Sequence, residues 1–196
     1  MTKMRAIYHK IRRTILSWFT LPRYAYIEKV KVPMKNWMMH QFTFGGAKLK
    51  LVYEEELVEE AKKFVRPGML FFDIGAGIGD WSYIFASLGC EVYAYESDEN
   101  LQKFIKKIVG RDNLPIKVFG EFKKFEGVMP GFAKIDVDGG EGNIIMNSLD
   151  ALKESDVTLA LEVRNETFYL IDELKKIGYR EVKRFGDDNR VIFLKK

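Results

Sequence analysis

The sequence is short of the residues that several common chemistries need. Its 196 positions hold one cysteine, Cys90, so no internal disulfide can form and a reducing compartment suits the chain. Cys90 stands in LGCEVYAY at the edge of an apolar run, where a buried thiol is expected rather than a nucleophile. Two histidines are present, and both precede residue 41. A histidine base or ligand would therefore have to come from the amino-terminal segment. His40 is the candidate, with a structural role as its default reading. Long apolar runs are absent too. TILSWFTL is far shorter than the roughly 20 residues that cross a bilayer, and no small-residue cleavage motif follows it. The chain reads as soluble and cytoplasmic. Repeats and low-complexity tracts are absent. Charge of one sign is not in excess either: 32 basic against 28 acidic residues leave +4, too little to argue for nucleic acid by itself.

What charge asymmetry there is lies at the start. Residues 1–13 carry Lys3, Arg5, Lys10, Arg12 and Arg13 and no acid. Ile7, Ile11, Ile15 and Trp18 recur at helical spacing among them, which predicts a basic amphipathic helix stopped by Leu21-Pro22. A helix docked on the protein with a solvated basic face is the plain reading; a membrane surface or RNA is the alternative. WMMHQFTFGGAKLKLVY then reads as two short strands around Gly45-Gly46, with His40 in the first. Residues 1–53 are thus expected to form an extension, and residues 54–196 the main domain.

From Glu54 the pattern alternates regularly. Helix is predicted over Glu54–Val65, Asp80–Leu88, Asp98–Val109 (capped by Asp98, ended by Gly110), Glu141–Leu152 and Glu166–Ile177. Strand is predicted over Met69–Ile74, Glu91–Tyr95, Ile116–Phe119, Phe132–Val137 and Val157–Val163. Tyr179–Phe185 and Val191–Leu194 close the chain as an antiparallel hairpin turning at Gly186–Asn189. Apolar strands alternating with helices give an α/β fold: a mostly parallel sheet between two helical layers.

FFDIGAGIGDWS sits where such a fold binds ligands, on the loop after the first strand of the sheet. Gly75 and Gly77 allow a tight turn and close approach to a ligand. Dinucleotides and S-adenosylmethionine both use this arrangement. The dinucleotide fingerprint is G-x-G-x-x-G, whereas here glycines fall at 75, 77 and 79, with Asp80 following and Asp73 preceding. Two carboxylates oppose a pyrophosphate but suit the ammonium and sulfonium of S-adenosylmethionine. Glu96, at the end of EVYAYE, can accept hydrogen bonds from ribose hydroxyls in either case; a surface glutamate before the cap-like Ser97-Asp98 is the plain alternative.

FFDIGAGIGDWSYIFASLG, VYAYESDENL, AKIDVDGGEGNIIMNSL and LALEVR together resemble the FkbM family of S-adenosylmethionine-dependent methyltransferases, from about Glu54 to the carboxyl terminus. KIDVDGGE, Lys134–Glu141, is the most specific piece; Asp138 stands where the family more often has glutamate. The resemblance implies a Rossmann-like class I methyltransferase sheet, S-adenosyl-L-methionine as donor, and O-methylation of a sugar or small hydroxylated acceptor. It implies that Asp73, Gly75, Ala76 and Gly77 cradle the methionine part. Glu96 would hold the ribose, and Asp136 would face the methionine amino group or the acceptor. Lys134 lies two residues earlier on the same face of that strand. The segment between the third and fourth strands, GEFKKFEGVMPG, is too short for the usual helix. Gly120 and Glu121 are then the candidates for contact with the adenine.

Asp136, Asp138, Glu141 and Glu162 are expected at or just past strand ends on the ligand side. Asp136 is read as general base or orienting group for an acceptor hydroxyl, and Asp136 and Glu162 are the catalytic candidates. Magnesium held by Asp136 and Glu162 is an alternative, and so is a plain role in which Glu141 caps its helix and Asp138 is solvated. Metal is not part of the favoured reading. Arg164 and Asn165 could bind an acidic or polyhydroxyl acceptor, or simply form a surface loop. No Asn/Asp-Pro-Pro-aromatic run follows the fourth strand, which argues against amino-group methylation of DNA bases by that arrangement. RNA is the rival acceptor, with residues 3–13 and the Lys103–Lys107 helix as a phosphate-binding surface. A non-catalytic nucleoside-binding protein is the rival from another class.

Overall fold

The computed structural model describes residues 24–33, 42–45, 48–51, 55–185 and 191–196. The predicted basic helix with its Leu21-Pro22 stop, His40, and the turn at 186–189 lie outside them. Contacts divide the chain into two compact units, Met1–Glu55 and Glu56–Lys196.

Among its described residues the first unit holds two hairpins. β1 (Tyr24–Ile27) and β2 (Val30–Pro33) pair antiparallel, with Ala25, Ile27, Val30 and Val32 buried and Tyr24, Tyr26 and Lys31 exposed. This hairpin was not expected, because its turn at Glu28-Lys29 has neither glycine nor asparagine. Glu28 itself takes the left-handed conformation, at φ 51°. β3 (Phe42–Gly45) and β4 (Lys48–Leu51) pair as the double glycine predicts, with Gly45 opposite Lys48.

The second unit is a seven-stranded sheet with helices on both faces. It opens on α1 (Glu55–Ala61) and a 3-10 turn, Lys62–Phe64. Next come β5 (Leu70–Ile74), α2 (Asp80–Ser87), β6 (Glu91–Tyr95), α3 (Glu99–Asp112), β7 (Ile116–Phe119) and β8 (Phe132–Ile135). The chain continues through α4 (Glu141–Met146), α5 (Leu149–Lys153), β9 (Thr158–Glu162), a 3-10 turn at Asn165–Thr167, α6 (Tyr169–Lys176), β10 (Arg180–Phe185) and β11 (Val191–Lys195). Strand order is β10-β11-β9-β8-β5-β6-β7. Six strands point the same way, and β11 alone runs antiparallel, between β9 and β10. The order reverses between β5 and β8, and the crevice beyond the carboxyl ends of those strands is where open α/β sheets bind ligands. Among the described residues no helix is long and apolar enough to cross a membrane.

Alternate residues of β5 build the two halves of the core. Phe71 stacks on Phe85, Trp81 and Phe132. Phe72 packs on the opposite face against Tyr93, Tyr95, Phe122 and Phe125. The second face continues into Ile144, Ile145, Leu152, Leu170, Ile171 and Leu174 of α4 to α6.

Two helix boundaries depart from the sequence pattern for a visible physical reason, while the helix-free stretch between β7 and β8 is as expected. The helix predicted over Glu141–Leu152 breaks at Asn147-Ser148. There the Ser148 hydroxyl donates to the Ile144 carbonyl at 2.5 Å and accepts from the Phe125 N–H at 2.9 Å. Gly110 lies inside α3 rather than ending it; the helix runs on to Asp112 and closes on Asn113 in the left-handed conformation. The amino-terminal cap of α3 is as predicted, with Asp98 accepting from the N–H groups of Asn100 and Leu101. Between β7 and β8 there is no helix. Phe122 and Phe125 from an irregular segment cover the sheet instead, and Phe125 is fully enclosed.

Candidate active site

The glycine loop lies across the reversal point. Gly75 N and Ala76 N both donate to the Tyr95 carbonyl at 2.9 Å, tying the loop to β6. Gly75 is at φ +79°, and a Cβ there would stand 1.7 Å from the Asp136 carbonyl oxygen, so only glycine lets the loop pass the end of β8. Gly77, at φ +58°, has nothing within 4 Å of its Cβ direction and faces open space.

Glu96 sits directly behind this opening and is 8% exposed. Its Oε2 accepts from Gly77 N at 2.7 Å, and its Oε1 accepts from Asp98 N at 2.8 Å and the Ser97 hydroxyl at 3.4 Å. One carboxylate thus pins the loop to the end of β6. An ionised carboxylate has about four lone-pair positions, so capacity remains for an incoming hydroxyl.

Asp73 is 0% exposed. Its Oδ2 accepts from the Ser82 hydroxyl at 2.6 Å, locking β5 to the first turn of α2. Its Oδ1 is buried without a hydrogen-bond donor and lies 3.8 Å from Lys134 Nζ. Burial pushes the Asp73 carboxyl upward, against the pull of Lys134 and Ser82. Lys134, only 7% exposed on the otherwise apolar strand β8, donates to the Gly75 carbonyl at 2.8 Å and lies 3.4 Å from Asp136 Oδ2.

One oxygen each from Asp136, Glu141 and Glu162 lie within 4.8 Å of one another. The three are not alike. Glu141, 1% exposed, accepts from the N–H groups of Val137 and Gly139 and so shapes the loop after β8. Glu162 is pushed up to about 8 by burial and by the hydrogen bond and charge of Asp136, with Arg164 opposing. Asp136 moves the other way: burial would raise it, but Lys134 and the hydrogen bond from Glu162 hold it below the usual carboxylate range. The two carboxyls face each other as a hydrogen-bonded pair, so each one's titration depends on the other's charge. The Lys134 ammonium and the backbone donors to Glu141 offset part of the cluster's negative charge.

Asp138, at φ 56° and 92% exposed in its side chain, accepts from an Arg164 guanidinium nitrogen at 2.6 Å. This ion pair joins the loops after β8 and β9. Asn165 opens the 3-10 turn that follows. Glu121 is exposed just past the end of β7 and joins none of these hydrogen bonds. Of the sequence-predicted residues, then, Asp73, Gly75, Ala76, Gly77, Glu96, Asp136 and Glu162 are brought to one end of the sheet. Ser82 as the partner of Asp73 was not foreseen, nor was Lys134 as the meeting point of loop and acids. A lysine inside the apolar strand FAKI was the signal for the second.

No protein-family model matches the sequence, and no curated protein does. Solved structures do. The chain is similar to a precorrin-6y C5,15-methyltransferase from Geobacter metallireducens (21% identity, TM-score 0.54, covering 80% of this chain and 95% of that one). It is similar also to a methyltransferase from Pyrococcus furiosus (18% identity, TM-score 0.50, 77% and 85% covered). A third is the tRNA (uracil-54, C5)-methyltransferase of Pyrococcus abyssi, solved with S-adenosyl-L-homocysteine (13% identity, TM-score 0.58, 88% and 43% covered). The chain has the Rossmann-like α/β fold of these methyltransferases.

Proposed function

We propose that the protein is an S-adenosylmethionine-dependent methyltransferase of FkbM type that methylates a hydroxyl oxygen on a sugar or small polyhydroxylated acceptor. The observation that carries this reading is the meeting, at one crevice, of an open glycine loop backed by Glu96 with the close carboxyl pair Asp136 and Glu162. The donors present suit the cofactor. Space at Gly77 admits it, the spare lone pairs of Glu96 can accept from ribose hydroxyls, and acidic surroundings favour its positive charges. In this reading Gly75, Ala76, Gly77 and Glu96 contact the cofactor, Asp73 supports the loop from beneath, and Glu121 contributes at the adenine end. Residues 54–196 form the methyltransferase domain, and residues 1–53 an extension to it.

S-adenosylmethionine, when bound, supplies an electrophilic methyl group. The chain's own task is to orient the acceptor hydroxyl and take its proton. Asp136, kept anionic beside Lys134, accepts the hydrogen bond from that hydroxyl and then its proton. Glu162, already protonated, donates to Asp136 and steadies the anion. The loop joined by Asp138 and Arg164 walls the acceptor side.

Calorimetry with S-adenosylmethionine and S-adenosylhomocysteine tests the first step. Micromolar binding by the wild type and none by Glu96→Ala is expected; no binding by a folded wild type would sink the reading. Methyl transfer across a panel of sugars and hydroxylated small molecules, abolished by Asp136→Asn, tests the second. RNA as acceptor has its own support in basic residues 3–13 and in the tRNA methyltransferase among the similar structures. Salt-dependent RNA binding would favour it. The helix-free segment between β7 and β8 supports a non-catalytic nucleoside-binding protein, and ligand binding without turnover would favour that.

A further inference from the structure

Three features converge on one buried amine. Lys134 Nζ reaches the Gly75 carbonyl at 2.8 Å, Asp136 Oδ2 at 3.4 Å and Asp73 Oδ1 at 3.8 Å. An ammonium carries three donors and no acceptor, so it can hydrogen-bond the loop carbonyl while it lies against both acids. The side chain comes from β8, the strand that Asp136 immediately follows, and it hydrogen-bonds the carbonyl of the glycine loop. The groups facing Asp136 come from every neighbouring element: Lys134 on β8, Asp73 on β5, Glu162 and Arg164 at the end of β9, and Glu141 on α4. Of these, Lys134 is the only buried cation.

We propose that Lys134 is a positioning residue: its ammonium fixes the glycine loop through the Gly75 carbonyl and, from the same point, holds Asp136 as an anion at the end of β8. Its catalytic use rests on the methyltransferase reading; its electrostatic role does not. One group thereby couples the geometry of the cofactor loop to the charge state of the acceptor end. Removing it should loosen the loop and let Asp136 hold a proton at the same time. Replacing it with arginine should separate the two effects. A guanidinium keeps the charge, but its planar fork cannot reproduce a point contact with the Gly75 carbonyl.

The test uses the full chain without cofactor. Asp136 and Glu162 are followed by carboxyl-carbon NMR through a pH titration in the wild type, Lys134→Met and Lys134→Arg. The lower step of the pair should rise by at least about one pH unit in Lys134→Met, a tenfold gain in proton affinity. In Lys134→Arg it should stay close to the wild-type position. S-adenosylhomocysteine affinity, read by calorimetry, should fall at least tenfold in both variants. Should Lys134→Met fail to fold with two uncompensated acids, Asp73→Asn with Lys134→Met is compared with Asp73→Asn alone, and the same rise is expected. An Asp136 titration that stays in place in a folded variant lacking Lys134 overturns the proposal. A wild type that binds no S-adenosylhomocysteine would instead count against the methyltransferase reading, while the carboxyl titration still decides the role of Lys134.

Discussion

At the scale of single residues, two glycines of one loop make opposite predictions. Gly75→Ala puts a Cβ 1.7 Å from a backbone oxygen that cannot move without shifting the end of β8. It should therefore cost several kcal/mol, beyond the ~1–2 kcal/mol of left-handed backbone alone. Gly77→Ala meets no atom within 4 Å and should cost only that ~1–2 kcal/mol, yet its methyl group would stand in the opening beside Glu96. Urea denaturation should show the first variant unfolded or nearly so and the second close to wild type. Calorimetry should then show the second unable to bind S-adenosylhomocysteine. Equal stability loss in both would mean that the loop does not pass the end of β8 as described.

The carboxyl pair predicts a pH dependence with a definite sign. Glu162 is raised from 4.5 to about 8, so folding favours its protonated form. Its contribution to stability is fully present below about pH 4.5 and is lost as the pH rises through about 8. The loss is at most about 1.4 kcal/mol per pH unit, and less for a half-buried group screened by solvent. Asp136, lowered from 3.8, acts oppositely: its contribution is present above that value and is lost as the pH falls through its depressed position. Glu162→Gln keeps a donor toward Asp136 but cannot ionise. Its urea midpoint should therefore gain on the wild type steadily between about pH 4.5 and pH 8. Parallel profiles for the two proteins would mean that Glu162 carries no proton at neutral pH.

At the scale of elements, the segment between β7 and β8 shows what a missing helix is replaced by. Phe125 is 2% exposed and packs on Phe72 and Phe122, while its N–H is held by Ser148, itself the break between α4 and α5. Phe125→Ala should destabilise by about 3–5 kcal/mol, as for other buried aromatics. Ser148→Ala should cost about 1–3 kcal/mol, because it leaves the buried Phe125 N–H without an acceptor. Chemical denaturation measures both, and a negligible cost for Phe125→Ala would mean the segment is not docked on the sheet. These elements also mark the limit of local reading. Strands such as LFFDI and TLALE were legible because they are continuously apolar and bounded by glycine, proline or charged turns. The break at Ser148 was not legible, because its cause is a hydroxyl meeting a backbone group distant in sequence. Nor was the first hairpin, whose turn relies on Glu28 in a conformation glutamate seldom takes.

At the scale of the whole molecule, the sheet order decides what becomes a site. Periodicity announces strands and helices but not that β8 returns to the far side of β5, which places Asp136 and Lys134 against the glycine loop. Asp73, Glu96 and Asp136 were legible as acids at strand ends. That Asp73 and Glu141 would be turned inward onto Ser82 and backbone donors, leaving Asp136 and Glu162 to face each other, depends on burial that only the assembled sheet creates. The same assembly predicts how the folded chain answers its ligand. The candidate contacts sit on β5, β6 and β8, three neighbouring strands of one sheet, so a ligand held by them binds the folded state and not the unfolded chain. S-adenosylhomocysteine at a hundredfold excess over its dissociation constant should add about 2.7 kcal/mol. For a chain of this length that corresponds to a rise in Tm of roughly 5–10 °C. Thermal unfolding should show this rise in the wild type and lose it in Glu96→Ala. A rise of equal size in Glu96→Ala would place the ligand elsewhere on the molecule.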